Sequence, residues 1–396
     1  MVTAGQPAIA LIWAQFAAYH VDRCEAVGRR LGSRAEVLGV EVATTSDTYA
    51  WEPSGAIAAA RKITLFPGKS YDAVPAWQRF RAMFRVVRGC RMVCLGIGYG
   101  SADAILLSWA LRLSGVRVIA LSESKFDDKP RNVWFEAAKS LVLGGYSAAI
   151  VGAGRHRAYF RFLGFRNRPV LVGYDGVGVE RIRREGLAAN RESPAWEERP
   201  YVFVGRFVDK KNLFTLLDGY AAYLHEASDP RDLVLAGSGP LEKALREHAG
   251  ALGVAGKVRF TGFLPAAAVS RLLADALALV LVSSEEQWGL VINEALSLGL
   301  PVIASTAVGA RDVLVRNLVN GFVIEPQSAE SLAEAMRLLA SDEARWRRMS
   351  AASDERAWLG DADRLADAIE FLFDPPATEA AARIGAYIEQ LEPLDQ

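Results

Sequence analysis

The chain of 396 residues contains only three cysteines, Cys24, Cys90 and Cys94. Three thiols cannot all pair within one chain, and their spacing matches neither a zinc site nor a disulfide scaffold, so a reducing compartment is expected. No apolar run reaches the roughly 18 residues needed to span a bilayer. The opening stretch, MVTAGQPAIALIWAQFAAYH, has no basic segment ahead of its hydrophobic one, unlike an ordinary export signal. The expectation is a soluble, cytoplasmic protein. Net charge is also missing, because 46 lysines and arginines meet 46 acidic residues. Long basic tracts and nucleic-acid-binding motifs are absent, which excludes nucleic acid as a partner.

What is present is a large apolar content, 51% of residues, spread over a length that suits two domains. The zero net charge hides an asymmetry. Residues 1–198 carry 27 basic against 18 acidic residues, a net of +9, and the remainder carries a net of −9. Halves of opposite sign are expected to handle different ligands or to attract each other.

Short apolar segments alternate with helical spacing along both halves. In the first half Ile9–Trp13, Glu36–Val42, Ile63–Phe66, Met92–Leu95, Val116–Leu121, Ala148–Val151 and Val170–Gly173 read as strands, with a first helix expected over Arg23–Arg34. A polar, proline-broken stretch, RESPAWEERP, follows at 191–200 and reads as a linker. A second series then opens with YVFVG at 201–205 and runs through LVLAGSG, VRFTGF, LALVLVSS, PVIAS and GFVIEP. Strands without a wet face, separated by helices, define parallel sheets covered on both sides. The predicted class is α/β, two Rossmann-like domains facing each other across a cleft: residues 1–190, residues 199–370, and a helical tail 371–396 that crosses back to the first domain.

Two segments carry candidate chemistry. In SSEEQWGLVINEALSLGLP, residues 283–301, Glu286 and Glu294 lie eight apart with Gly289 and Leu290 between them at a helix start. Main-chain N–H groups there can receive phosphate oxygens, and carboxylates are acceptors suited to sugar hydroxyls. On spacing alone the two glutamates are equally well a cap and a solvated helix residue. In VGRFVDKKN, Gly205 and Arg206 follow a strand and Lys211 comes five residues after the arginine. Two cations at the carboxyl edge of a sheet suit a diphosphate and the charge that develops as it leaves.

These segments resemble the retaining nucleotide-sugar glycosyltransferases of family four, which have the glycosyltransferase-B (GT-B) architecture. The resemblance covers residues 199–340. VGRFVDKKN is similar to the family's strand-Gly-Arg…Lys segment, LVLAGSGP to its Gly-x-Gly-Pro turn, and Glu286 and Glu294 to its Glu-x7-Glu motif. It implies that Arg206 and Lys211 hold the donor diphosphate, Glu294 the ribose, Glu286 the transferred sugar, and the Gly289–Leu290 amides the phosphate or sugar. The base then lies against Phe263 and Leu264. It also implies a front-face route in which the departing diphosphate helps deprotonate the acceptor.

The first half is looser. Its first loop, Ala14–His20, lacks the paired glycines common in relatives, and Ser122-Glu123-Ser124 stands where many carry a histidine. His20, Glu123, Arg155 and His156 are the candidates on the acceptor side, with a packing or surface role equally open for the histidines. Residues 77–91, WQRFRAMFRVVRGCR, set aromatics at helical spacing among arginines; an anionic-membrane contact and an ordinary domain helix both fit. No cofactor and no metal are expected, since two cations already meet the diphosphate and no Asp-x-Asp pair occurs in the cleft segments. The reading is transfer of a sugar from a UDP- or GDP-sugar to a sugar, glycolipid or other small acceptor in polysaccharide or glycolipid synthesis, in the cytoplasm or on the inner membrane face. The alternatives are a non-catalytic nucleotide-sugar-binding scaffold and a phosphorylase- or epimerase-like enzyme of the same plan.

Overall fold

The computed structural model describes residues 6–47, 54–128, 130–187, 193–375 and 378–391. Arg191 and Glu192 of the expected linker, and residues 392–396 of the expected tail, lie outside them. The chain forms two compact units, residues 1–178 with 362–396, and residues 179–361.

In the first unit β1 (Ala8–Trp13), α1 (Ala18–Leu31), β2 (Glu36–Thr45), β3 (Arg61–Ser70), α2 (Ala76–Val87), β4 (Met92–Leu95), α3 (Ala102–Leu113), β5 (Arg117–Ser122), α4 (Val133–Val142), β6 (Ala148–Val151), α5 (Gly154–Phe162) and β7 (Val170–Val172) follow in turn. The seven strands form one parallel sheet in the order β3-β2-β1-β4-β5-β6-β7. β1 and β4 are therefore neighbours whose connections leave in opposite directions, the crevice at which open α/β sheets bind ligands.

The second unit begins with α6 (Val179–Gly186) and continues through β8 (Tyr201–Val204), α7 (Leu213–Glu226), β9 (Leu233–Ala236), α8 (Glu242–Ala251), β10 (Val258–Gly262), α9 (Ala266–Ala274), β11 (Ala278–Leu281), α10 (Val291–Ser297), β12 (Val302–Ser305), α11 (Arg311–Leu314), β13 (Gly321–Ile324), α12 (Ala329–Ala340) and α13 (Glu343–Arg356). Its sheet runs β10-β9-β8-β11-β12-β13, with the same reversal at β8 and β11. The chain then returns to the first unit as α14 (Asp363–Phe373) and α15 (Thr378–Ile388).

These boundaries differ from those read in the sequence. Residues 179–186 pack with the second unit, against α9, and not with residues 1–178. The return begins at Ala362, before the expected tail. The reason is core packing. Ile9, Leu11 and Trp13 of β1, with Met92, Cys94, Ile119, Leu121 and Ile150, form a cluster closed by α1 and by Leu365, Ile369, Leu372 and Phe373 of α14. Without α14 that sheet face would lack half its cover. Charges reinforce the seam: Arg30 and Arg34 of α1 and Arg383 of α15 pair with Asp367 and Glu370 of α14.

The first helix also starts earlier than Arg23. His20, in its first turn, accepts a hydrogen bond from the Ala17 amide through Nδ1 at 2.9 Å, satisfying a donor that would otherwise be orphaned at the helix start. In α2 the structure divides the residues 77–91 segment: Trp77 is exposed, Phe80 and Phe84 stack half-buried, and Arg81, Arg85 and Arg88 face solvent. Among the described residues no helix is long and apolar enough to cross a membrane.

Candidate active site

In the second unit the pairing Ala278↔Tyr201 and Leu279↔Val202 sets β11 beside β8, so the loops leaving them start side by side. They are clamped through the main chain. The Lys210 carbonyl accepts from the Ser284 amide at 2.9 Å, and Asn212, in a left-handed conformation with φ 57°, donates from Nδ2 to the Val282 carbonyl at 3.1 Å. Asparagine carries little strain there compared with other non-glycine residues.

The clamp brings together two residues that the sequence places in separate segments. Lys211 Nζ donates to Glu286 Oε2, which also accepts from Ser283 Oγ at 3.1 Å. Both side chains are largely buried, so their charges interact with less screening than an exposed pair has. Arg206 is exposed at the start of the same β8 loop. Gly205 keeps the loop open, since a Cβ there would come 3.6 Å from Lys211 Cε and 3.0 Å from Phe203 Cζ.

Gly289 has φ 101°, which disfavours a side chain, and a Cβ would meet Leu281 Cδ2 at 3.0 Å. The turn into α10 is anchored by buried Trp288, whose indole donates to Asn293 Oδ1 at 2.9 Å, while Asn293 Nδ2 donates to the Gly360 carbonyl at 3.0 Å. Glu294 is half-buried in the first turn of α10. Phe263 and Leu264 follow β10, with the Phe263 ring exposed and Leu264 half-buried. Asn212, Ser283 and Asn293 have clear structural jobs here that the sequence did not single out. Asn212 closes the VGRFVDKKN segment itself, whereas the other two are visible only through their partners.

The first unit holds a cavity of about 310 Å³ at the β1/β4 reversal, lined among others by Trp13, Gln15, His20, Tyr71, Glu123 and Tyr174. Trp13 Nε1 donates to the Tyr174 hydroxyl at 2.9 Å, and the Tyr71 hydroxyl donates to buried Asp103 at 2.7 Å. Arg79 lies over the Tyr71 ring and bonds the same carboxylate at 2.6 Å. His20 and Glu123, the sequence candidates for the acceptor side, thus reach a cavity. Burial first, and Arg23 second, hold the His20 imidazole well below its ordinary value, so it is neutral. Beneath the wall, burial and the neighbouring Glu123 carboxyl push Asp175 well above the usual carboxylate range, against the pull of Arg23, 3.4 Å away.

His156 does not fit the role expected of it. It is fully buried and accepts from the Ala153 amide through Nδ1 at 3.2 Å, which makes it a cap for α5. Arg155 pairs with Asp127 at 2.6 Å. Among the described residues no cluster of three or more histidines, cysteines or acidic residues is placed to hold a metal. All three cysteines are free and buried.

Two Rossmann-like sheets, the second with a lysine–glutamate pair and a glycine-led turn at its reversal, match the GT-B fold. Residues 188–356, less than half of the chain, match the family described as glycosyl transferases group 1. An uncharacterized glycosyltransferase of Methanocaldococcus jannaschii is 32% identical over 148 residues, 37% of this chain and 37% of that protein. The chain thus spans little more than a third of that relative in the match. The GDP-mannose-dependent alpha-(1-6)-phosphatidylinositol monomannoside mannosyltransferase of Mycobacterium tuberculosis is 28% identical over 357 residues, 85% of this chain and 88% of that protein. Among solved structures, sucrose-phosphate synthase from Thermosynechococcus elongatus superposes with a TM-score of 0.70 at 20% identity, covering 95% of this chain and all (100%) of that one. HepE of Anabaena, solved in complex with UDP, gives 0.68 at 16% identity over 92% of this chain and 99% of its own. At these identities the structural matches speak for the fold.

Proposed function

We propose that the protein is a retaining glycosyltransferase that moves a sugar from a nucleoside diphosphate sugar, with UDP or GDP as the leaving group, to an acceptor hydroxyl in glycolipid or polysaccharide synthesis. The observation that carries the reading is the convergence of Arg206, Lys211, Glu286 and Gly289 on the loops of adjacent strands β8 and β11. In this reading the donor lies on the second unit. Arg206 and Lys211 hold the diphosphate, with Gly205 leaving it room, and the Gly289 and Leu290 amides supplement them. Glu294 holds the ribose, Glu286 the transferred sugar, and the base lies against Phe263 and Leu264.

The ion pair gives this assignment a chemical sense. Glu286 holds Lys211 in place; a bound diphosphate offers the ammonium a second acceptor, and the Lys211 charge stabilises the leaving group as the glycosidic bond breaks. The departing diphosphate helps deprotonate the acceptor, and no protein nucleophile or metal takes part. The acceptor lies in the first unit at the cavity beside His20 and Glu123. The protein acts in the cytoplasm, in peripheral contact with an anionic membrane. Support for the donor class comes from the relatives: one is named as GDP-mannose-dependent and another was solved with UDP.

The test is a panel of UDP- and GDP-sugars screened by thermal shift, followed by turnover of the stabilising donor with candidate acceptors and assignment of the product's anomeric configuration by NMR. An α-linked product from an α-linked donor supports retention. Binding without transfer or donor hydrolysis leaves a scaffold, and an inverted product refutes the front-face route.

A further inference from the structure

In the first unit's sheet the connections carrying α2, α3, α4 and α5 all step toward β7, whereas α1 steps the other way. Right-handed crossovers therefore put those four helices on one face, opposite α1 and α14. Packing agrees, since α2 lies on α3, and Trp109 of α3 lies against Gly144 just beyond α4.

The outer surface of this layer is unusual in two independent respects. First, it is apolar where a solvated helix should be polar. Trp134 and Phe135 in the first turn of α4 are 82% and 71% exposed, flanked by Val133 and Leu141. Leu113 on α3 is 84% exposed, and Trp109 and Phe162 are also exposed. The stretch is helical and capped, Asn132 Oδ1 accepting from the Trp134 amide at 3.0 Å. Second, the outward charge of its helices has one sign, the exposed carboxylate of Asp127 in the turn before α4 being paired with Arg155 of α5. The four helices contain only two acidic residues, Asp103 and Glu136. Both are buried, Asp103 against Arg79 and Tyr71, and Glu136 against Lys139 and Tyr159. Arg81, Arg85, Arg88, Arg112 and Arg161 face solvent. On the opposite face, by contrast, the arginines of α1 are matched by the carboxylates of α14.

We infer that this α2–α5 face is the surface by which the protein docks on an anionic phospholipid bilayer, with Trp134 and Phe135 entering the interface and the arginines of α2, α3 and α5 against the headgroups. Aromatic residues have an apolar body suited to that depth, and arginine stems cover apolar surface while their heads remain among phosphates. The inference rests on the membrane contact of the proposed function and adds its location: the basic α2 segment contributes charge, and α4 contributes the apolar wedge.

The experiment is co-sedimentation of the purified full chain with vesicles of phosphatidylcholine alone or mixed equally with phosphatidylglycerol. Wild type should pellet with the anionic vesicles only, and release as salt rises from about 0.1 M to 1 M, where the Debye length falls to about 3 Å. The double variant Trp134→Ser/Phe135→Ser should need about tenfold more lipid or worse for half-pelleting. Arg81→Gln/Arg85→Gln/Arg88→Gln should lose the anionic preference, and Val319→Ser, an exposed apolar site on the second unit, should behave as wild type. Unchanged circular dichroism and urea melts report that each variant is folded, and retained nucleoside diphosphate binding that its second unit is intact. If wild type pellets and the Trp134/Phe135 variant pellets equally well, the face is wrong while membrane contact stands. If wild type fails to pellet at low salt, membrane contact itself fails. A concentration-dependent dimer in sedimentation velocity, abolished by the same double variant, assigns the face to a second copy and overturns the inference.

Discussion

Lys211 and Glu286, 75 positions apart in the chain, meet as an ion pair at the ends of two adjacent parallel strands. The same glutamate oxygen also takes the Ser283 hydroxyl, so removing either charged partner changes what the other does. This interdependence shapes the expectations for the proposed donor site.

Arg206 is exposed and rises from the end of β8. Arg206→Ala should lower kcat/KM by about 30- to 1000-fold, roughly 2–4 kcal/mol of transition-state stabilisation, with an unchanged circular dichroism spectrum. Wild-type kcat/KM with the identified donor would remove Arg206 from the site.

Glu294→Gln and Glu286→Gln should differ in kind. The first should weaken nucleoside diphosphate binding, whereas the second should nearly preserve it and mainly impair transfer. Calorimetric titration with the free nucleoside diphosphate reads the difference directly. Equal losses of affinity would mean that the two carboxylates do not divide ribose and sugar between them.

His20 stays neutral in the folded protein because burial and Arg23 oppose its protonation. The unfolded chain takes up that proton as pH falls below about 6.5, so stability is intact above this value and is lost below it, at up to about 1.4 kcal/mol per pH unit. His20→Gln keeps an acceptor for the Ala17 amide and removes the titration. Urea unfolding from about pH 7.5 to 5.5 should show a smaller loss in the variant than in wild type; parallel profiles would mean that His20 does not titrate differently on folding.

Gly237 has φ 137°, and a Cβ there would fall 1.9 Å from the Gly205 carbonyl oxygen, at the base of the Arg206 loop. Gly237→Ala should cost about 2–4 kcal/mol of stability, through backbone strain and displacement of that loop. Denaturant melts check the stability, and a loss under about 0.5 kcal/mol, typical of unstrained surface changes, would contradict it.

Burial pushes the thiols of Cys90 and Cys94 up to about 11 and about 12, and that of Cys24 higher still. Thiolate, the reactive form, is therefore scarce at neutral pH. Ellman's reagent should leave the native protein essentially unmodified and titrate three thiols after denaturation. Rapid reaction of the native protein would mean that a thiol is accessible.

The sequence by itself determined the α/β class, the positions of nearly all strands, and the segments that carry Arg206, Lys211, Glu286 and Glu294. These features are local: a fully covered parallel strand is apolar throughout, and a loop residue beside a strand end keeps that position however the sheet is assembled. What joins distant segments was decided only by tertiary packing. The apolar stripe of α14 shows that the helix must be buried, but only the exposed face of the β1–β4 sheet identifies its place, moving the boundary to residues 361 and 362. His20 and His156 look alike in sequence, each three residues past an alanine amide that it caps, yet His20 also lines a cavity while His156 is sealed in the core. Likewise, the periodicity of residues 133–142 gives no sign of which apolar side chains remain uncovered. Burial depends on neighbours supplied by other parts of the chain, and spacing along one helix contains no record of them.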